Sequence, residues 1–167
     1  MFLRAMTPAD HAAVARVWHE GWHDAHAGRV PDEMTAKMQP DAFLRRLHTL
    51  PPHLMVGGIG KIGGDIGGFI HWKDDLIQYL FLSRTARGTG LAARLMTAAE
   101  AAMAKAGVER AELDYVKGNE RAARFYARQG YSVTREETDS VPEYQGSWVS
   151  VICHKQLGTG PAPKHTF

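Results

Sequence analysis

The amino-acid sequence predicts a single domain of the α/β (α+β) class, with a mixed sheet of about seven strands and helices on both faces. Its 167 residues suit one globular domain, and 44% hydrophobic and 23% charged residues are usual for such a domain. The predicted elements follow the order β-α-α-β-β-β-α-β-α-β-β. A meander of strands followed by strand–helix–strand units is typical of a mixed sheet covered by helices.

The first half of the chain predicts a strand, two helices and a meander of three strands. Thr7 and Pro8 suit the start of the first helix, Thr7 as its cap and Pro8 at its first position. Seven of the twelve residues 57–68 are glycine, which predicts a loose hairpin connection. The predicted strands are 2–5, 53–56, 68–72 and 76–82, and the predicted helices are 9–26 and 34–47, the latter ended by Pro51-Pro52.

At the start of the second half, apolar residues recur at the spacing of a helix. A stripe of leucine and alanine over residues 91–106 predicts a helix that ends at Gly107. Gly130 ends a second predicted helix, and the remaining elements are strands. These are strand 111–116, helix 119–129 and strands 131–136 and 148–155. We expect one domain over residues 1–157 and a flexible Gly- and Pro-rich tail over residues 158–167.

Composition excludes several classes of protein. No apolar run approaches the ~20 residues of a membrane-spanning helix, and the first ten residues lack the apolar segment of a secretory signal. Cys153 is the only cysteine, so the chain forms no internal disulfide and no cysteine-cluster metal site. We therefore expect a cytoplasmic protein with no membrane partner.

The net charge of +2 is unevenly distributed. Residues 84–135 contain ten Lys or Arg and only five Asp or Glu, whereas the rest of the chain is slightly acidic. A basic segment within a balanced domain indicates an anionic ligand. The segment is too interrupted for a nucleic-acid face, which usually forms a continuous basic stripe, so we expect no nucleic-acid partner.

Two short patterns resemble motifs whose context is missing. His19-Glu20-Gly21-Trp22-His23 matches H-E-x-x-H, but the extended zinc motif needs Gly and His where His26 and Arg29 stand. A zinc hydrolase is therefore a minor alternative, and we expect no metal. The glycines of residues 58–63 match G-x-G-x-x-G, yet no helix can follow them, so the dinucleotide motif is excluded.

The segment after the strand 76–82 has the features of an anion site. A loop with two glycines leads directly into a helix, whose first N–H groups are unpaired and whose dipole favours negative charge. Gly88 and Gly90 allow a phosphate to approach the backbone closely. Arg84, Arg87 and Arg94 add positive charge around the loop.

Two motifs resemble those of the GNAT superfamily of acyl-CoA-dependent N-acetyltransferases. Arg87-Gly88-Thr89-Gly90-Leu91-Ala92 is similar to the R/Q-x-x-G-x-G/A signature. Downstream, Asn119-x-x-Ala122-x-x-Phe125-Tyr126-x-x-x-Gly130-Tyr131 resembles the second motif at every fixed position. The element order also resembles this family over residues 2–157. The resemblance implies a GNAT-like, mostly antiparallel sheet and an acetyltransferase that uses acetyl-CoA as co-substrate.

The resemblance also implies a direct attack of a primary amine, carried by a small molecule or a peptide, on the acetyl thioester. In the family the pantetheine pairs with the strand before the first motif, the pyrophosphate lies on the glycine loop, and the second motif's tyrosine protonates the leaving sulfur. The general acid is thus expected to be Tyr126, whose phenol can donate to a thiolate. The implied cofactor-binding residues are Leu80, Phe81, Leu82, Arg87, Gly88, Thr89, Gly90, Leu91, Ala92, Ala93 and Asn119.

The general base departs from the family pattern. Many members carry a glutamate near the start of the strand before the first motif, where this chain has Leu76 and Gln78. Asp114 stands five residues before Asn119, where some protein-acetylating members place a carboxylate, and we expect it to be catalytic. His23 and His26, on the first helix and the following loop, are alternative bases, and loss of the amine proton to bulk water through a relay is a third route.

The acceptor side is expected to include Trp22, His23 and His26. A non-catalytic acyl-CoA-binding module is an alternative function because the strand glutamate is missing. The last strand, 148–155, is a candidate surface for a homodimer.

Overall fold

The computed structural model describes residues 1–50 and 53–158. The strands are β1 (Phe2–Ala5), β2 (Leu54–Gly58), β3 (Gly68–Lys73), β4 (Leu76–Leu82), β5 (Arg110–Val116), β6 (Ser132–Asp139) and β7 (Trp148–Gln156). The helices are α1 (His11–His26), α2 (Asp32–Lys37), α3 (Pro40–Leu47), α4 (Leu91–Lys105) and α5 (Glu120–Arg128). Short 3₁₀ turns at Pro8–Asp10 and Arg84–Ala86 precede α1 and α4.

The seven strands form one sheet in the order β1-β2-β3-β4-β5-β7-β6. Only β4 and β5 pair in parallel, and all other neighbours are antiparallel. The predicted mixed, mostly antiparallel sheet is thus confirmed. β7 is hydrogen-bonded on both sides, to β5 and to β6, so it has no free edge for the expected pairing across a dimer; β6 lies at that edge instead.

Helices cover both faces of the sheet, as predicted. On one face α1 and α3 pack around Trp18, Phe43 and Phe69, which are fully buried. On the other face the buried stripe of α4 packs against the strands, and Leu91, Leu95 and Ala99 are its most enclosed residues. Burial of these two apolar layers stabilises the fold and fixes α1 and α4 on opposite sides of β4.

The glycine-rich segment joins β2 to β3 as an antiparallel pair, which confirms the predicted hairpin. Gly58 illustrates why glycine is needed here, because a Cβ at this position would lie 2.1 Å from the backbone oxygen of Asp65. Likewise a Cβ at Gly67 would lie 2.8 Å from the Cβ of Ala86. The tract therefore brings the hairpin close to the loop that precedes α4.

The predicted second helix, 34–47, is wrong in one respect, because it is two helices. Gln39 has an extended conformation, with φ of −87° and ψ of 163°, and separates α2 from α3. Pro40 is the cause: its ring disfavours the helical region for the preceding residue, while its own fixed φ suits the first position of α3.

The predicted helix end at Pro51-Pro52 and residues 159–167 of the expected tail lie outside the described residues. Among the helices that the structure describes, none is long and apolar enough to cross a bilayer.

Candidate active site

A cleft opens in the sheet where β4 and β5 separate. The two strands pair only at Leu76 with Glu112 and at Ile77 with Leu113. Beyond this point β4 continues to pair with β3, and β5 with β7. Within the described chain, no strand therefore pairs with the cleft-facing edge of residues 78–82. Backbone N–H and C=O groups on such an edge require partners, so they can bind an extended ligand.

The cleft has a volume of about 430 Å³, and its walls come from α1, β4, the loop before α4, the end of β5, and α5. Eleven of the residues predicted from sequence line it: Trp22, His26, Leu80, Phe81, Leu82, Arg87, Gly88, Ala92, Asp114, Asn119 and Tyr126. The other predicted residues, His23, Thr89, Gly90, Leu91 and Ala93, lie outside this lining. Two motifs that are about thirty residues apart in sequence thus meet at one cavity.

The loop before α4 is shaped to receive an anion. Gly88 and Gly90 adopt φ values of +75° and +86°, and a Cβ at either would meet no atom within 4 Å. Glycine is therefore required by the backbone conformation, and the space beside it is open. The N–H groups of Ala92 and Ala93 lie in the first turn of α4, where helix geometry leaves them without intrahelical acceptors.

Two residues of the loop have structural roles that the sequence motif does not reveal. The Thr89 hydroxyl donates to the backbone oxygen of Ala86 at 2.6 Å and closes the turn before α4. The side chain of Leu91 is fully buried in the core under α4. These contacts hold the loop in shape, while the neighbouring backbone faces the cleft.

Arginines of the loop are tied to α1 through Asp24. Arg87 donates from Nη2 to Asp24 Oδ2 at 2.6 Å, and Arg84 donates from Nη2 and Nε to the same carboxylate at 2.7 and 3.2 Å. Hydrogen bonds from Arg84, assisted by those from Arg87, lower the pKa of Asp24 to about 2. Sequence reasoning missed Asp24, because it lies 60 or more residues from both partners.

Two further arginines of the cleft, Arg121 and Arg128, come from α5. Loss of hydration and the positive charge of Arg87 lower the pKa of Arg121. The spacing of residues 121, 125 and 128 places both arginines on the helix face of Phe125, and this pattern could have identified them. They add positive charge to the cleft, which suits the anionic ligand that the basic segment indicated.

Tyr126 projects from α5 into the cleft within an aromatic cluster. Its ring stacks with Tyr115 at a centroid distance of 6.1 Å and meets Phe125 edge-on at 5.3 Å. Burial raises the pKa of the phenol, and the nearby charge of Asp114 adds to this shift. The hydroxyl is thus fully protonated at neutral pH and available as a proton donor.

The start of α5 is fixed by Asn119. Its Oδ1 accepts a hydrogen bond from the backbone N–H of Ala122 at 3.2 Å, which is the geometry of a helix cap. The same side chain lines the cleft, and its amide nitrogen is the remaining donor. Asn119 therefore both begins the helix that carries Tyr126 and offers a polar group to a ligand.

The α1 wall of the cleft contains a stacked pair, Trp22 and His26, with ring centroids 4.6 Å apart and an interplanar angle of 10°. The backbone oxygen of Trp22 lies 2.9 Å from His26 Nδ1, so this nitrogen carries the proton of the neutral ring and Nε2 keeps its lone pair. Burial lowers the pKa of His26 to about 4. His23 points elsewhere, with Nε2 2.7 Å from the backbone oxygen of Met38.

Asp114 lies near the end of β5 and lines the cleft beside the aromatic cluster. Loss of hydration is the main cause that raises its pKa, and the carboxylates of Asp139, Glu112 and Glu137 add to the shift. Because the residue is also partly open to solvent, its carboxylate can exchange protons with water. A carboxyl group with a raised pKa in a cleft is suited to accept a proton.

The residues of the zinc-like pattern make other contacts. Glu20 accepts a hydrogen bond from the backbone N–H of Arg84 at 2.7 Å, and His23 is held at Met38. Across residues 1–50 and 53–158, no three His, Cys, Asp or Glu side chains gather in an arrangement that could hold a metal ion. Within the part of the chain that the structure describes, the residues of this pattern are thus not arranged as a zinc site.

Solved structures with the same fold include several acetyltransferases. A GCN5-related N-acetyltransferase from Rhodopseudomonas palustris matches with a TM-score of 0.73 and 22% identity over 93% of this chain and 95% of that one. The protein yncA from Salmonella typhimurium, solved with its cofactor acetyl-CoA, gives 0.67 and 17% over 99% of both chains. The PaiA N-acetyltransferase from Thermoplasma acidophilum, in complex with coenzyme A, gives 0.66 and 18% over 93% and 98%.

The family model described as the acetyltransferase (GNAT) family matches residues 15–131. No curated protein sequence matches the chain at a significant level. The matched region contains the strand edge, the glycine loop, α4 and α5, and ends at Tyr131. This agreement confirms the acyltransferase class predicted from the two motifs, and the chain belongs to the acetyltransferase (GNAT) family.

Proposed function

We propose that this protein is an N-acetyltransferase that transfers the acetyl group of acetyl-CoA to a primary amine of a small-molecule or peptide acceptor. The observation that carries the proposal is the meeting of three features at one cleft. These are the unpaired edge of β4, the open glycine loop before α4 and the protonated phenol of Tyr126. The acetyl-CoA and coenzyme A complexes of proteins with this fold add support.

The residues present suit the parts of this co-substrate. The backbone at Gly88, the first turn of α4 and the guanidinium of Arg87 would hold the phosphates. The edge of β4 at Leu80–Leu82 would pair with the amide groups of the pantetheine arm, as an added strand does. When bound, acetyl-CoA supplies an activated thioester carbonyl and a thiol leaving group.

Tyr126 is the proposed general acid. Its Oη keeps its proton at neutral pH, because the ordinary pKa of a phenol is about 10 and burial raises it further. Transfer of that proton to the departing sulfur would prevent return of the thiolate, whose ordinary pKa is about 8.5. A backbone N–H on the open edge of β4 would stabilise the negative charge on the carbonyl oxygen.

Asp114 is the proposed general base. Loss of hydration and the neighbouring carboxylates raise its pKa, which makes it a stronger proton acceptor than an ordinary aspartate. His26 lines the same cleft, but burial lowers its pKa to about 4 and makes it a weaker base than an ordinary histidine. We therefore propose that Asp114 accepts the proton of the amine and that His26 and Trp22 orient the acceptor.

The function is tested by the release of CoA thiol from acetyl-CoA in the presence of amines of different size and charge. We expect thiol release that depends on at least one amine and yields its acetylated product. Binding of CoA without release in any mixture would favour the non-catalytic binding module. Absence of CoA binding would contradict the proposal itself.

Location and assembly are further parts of the proposal. The only cysteine, Cys153, is buried and makes no disulfide, which suits a reducing cytoplasm. A homodimer would have to use a surface other than the edges of β7, and the exposed edge strand β6 is available for it. Size-exclusion chromatography with light scattering would measure the oligomeric state.

A further inference from the structure

The carboxylate of Asp24 joins the glycine loop before α4 to α1, the helix on the acceptor side of the cleft. Both oxygens of Asp24 are engaged, Oδ1 by Arg84 and Oδ2 by Arg84 and Arg87. The Asp24 side chain is 19% exposed, and its pair with Arg87, which is 27% exposed, is more shielded from water than its pair with Arg84. Glu20, one turn earlier on α1, adds a second link through the backbone N–H of Arg84.

The two arginines divide their roles by geometry. Arg84 gives two of its N–H groups to Asp24, lies 69% exposed and does not line the cleft, so it acts as a tether. Arg87 lies 27% exposed in the cleft wall and gives Asp24 only its Nη2 group. Because a guanidinium has five N–H donors, most of those on Arg87 stay available to an anion.

We propose that Asp24 is a positioning residue, which holds the guanidinium of Arg87 in the orientation that receives a phosphate of the cofactor. The inference rests on the proposed function, because it places the phosphates of CoA on the glycine loop before α4. A free arginine loses rotamer entropy when it binds a phosphate. Asp24 orders the side chain beforehand, and preorganisation of this kind strengthens binding.

A competing effect has the opposite sign. Asp24 also neutralises part of the positive charge that attracts phosphate, so its removal would increase the local potential. The side chains of Arg84 and Arg121 supply positive charge on the same side, and charge on an exposed group is screened by water. On removal of Asp24, we therefore expect the loss of Arg87 orientation to outweigh the gain in attraction.

The test is Asp24→Asn in the full-length protein, which keeps the shape and removes the charge. Calorimetric titration with CoA should show a Kd about three- to tenfold higher than that of the wild type, the effect of freeing one long side chain. In turnover, the KM for acetyl-CoA should rise while kcat changes little. Asp41→Asn, which removes a carboxylate paired with Arg45 on the exposed face of α3, is the matched control and should leave the Kd unchanged.

A double-mutant cycle shows whether Asp24 acts through its arginine. In an Arg87→Gln background, Asp24→Asn should weaken CoA binding no further. Equal or tighter CoA binding by Asp24→Asn alone, or additive losses in the double variant, would overturn the inference. A wild type that fails to bind CoA would contradict the proposed function. A wild type that binds CoA and an Asp24→Asn variant that binds it equally well would contradict only the role of Asp24.

Discussion

Ile77 and Leu113 form the last paired register between the parallel strands β4 and β5. Among residues 1–50 and 53–158, each strand keeps only its outer partner beyond this pair, and the sheet splits. The split opens a cleft between the two strands, and the glycine loop before α4 forms part of its wall. The position of the candidate site is thus a consequence of strand divergence, and the side chains placed around it determine its chemistry.

Tyr126→Phe should lower kcat by ~10²–10⁴ with little change in the Kd for acetyl-CoA, because general acid catalysis is worth that much and the ring is retained. Single-turnover measurements should show the loss in the chemical step. Tyr144→Phe, the same change at a tyrosine outside the cleft that contacts Lys37, is the control and should keep full activity. A full single-turnover rate for Tyr126→Phe would leave the proton transfer to water.

CoA should stabilise the folded protein. A ligand that binds only the native state adds ~2.7 kcal/mol at a hundredfold excess over its Kd. For a domain of this size such a gain corresponds to a rise of about 5–10 °C in Tm, measured by differential scanning calorimetry. An unchanged Tm at millimolar CoA would argue against an anion site at the glycine loop.

Gly90→Asp should weaken CoA binding, because it places a negative charge at the start of α4 where the phosphates are proposed to bind. Gly107→Asp is a matched control, since Gly107 also has a positive φ, of +90°, and open space around it, but lies at the opposite end of α4. Both variants should lose stability through backbone strain. Only Gly90→Asp should raise the Kd for CoA in a titration, and equal affinities of the two variants would contradict the placement.

Asp114→Asn should flatten the acidic limb of the pH–rate profile. The ionised carboxylate is the active base, so activity should rise with pH through a pKa that burial and neighbouring carboxylates raise above the usual value. Deprotonation of the amine is common to both proteins, so the difference between their profiles of kcat/KM isolates Asp114. If His26→Gln, rather than Asp114→Asn, removes the limb, the base is His26.

Asp10→Asn should destabilise the fold by about 2 kcal/mol, because Arg4 would lose the buried carboxylate with which it forms an ion pair. The Asp10 side chain is 9% exposed and accepts hydrogen bonds from Arg4 at 2.6 and 2.8 Å. The Arg4 guanidinium holds the pKa of Asp10 well below its usual range. The stabilisation is therefore complete above about pH 4 and should shrink as the pH falls toward the lowered pKa. Urea denaturation of both proteins at pH 7 and pH 3 measures this difference.

The local sequence was enough to predict most elements and both motifs. The glycine loop with α4, and Asn119 with Tyr126 on α5, are each contained in a short continuous segment. Their conformations follow from glycine at positive φ, helix caps and helical periodicity, which depend on neighbouring residues. The break at Pro40 was also present in the sequence, because proline restricts the residue before it. The order of the strands along the chain followed from the same local patterns. Their pairing in the sheet depended on how the layers pack.

The sequence by itself determined the family motifs, the glycine loop before α4 and the helix that carries Tyr126. Only the tertiary structure decided that His26 lines the cleft while His23 hydrogen-bonds to Met38, and that Asp24 meets Arg87. The physical reason is the range of the interactions. Caps, turns and periodicity act within a few residues, whereas an ion pair across 63 residues exists only because α1 packs on β4 beside the loop.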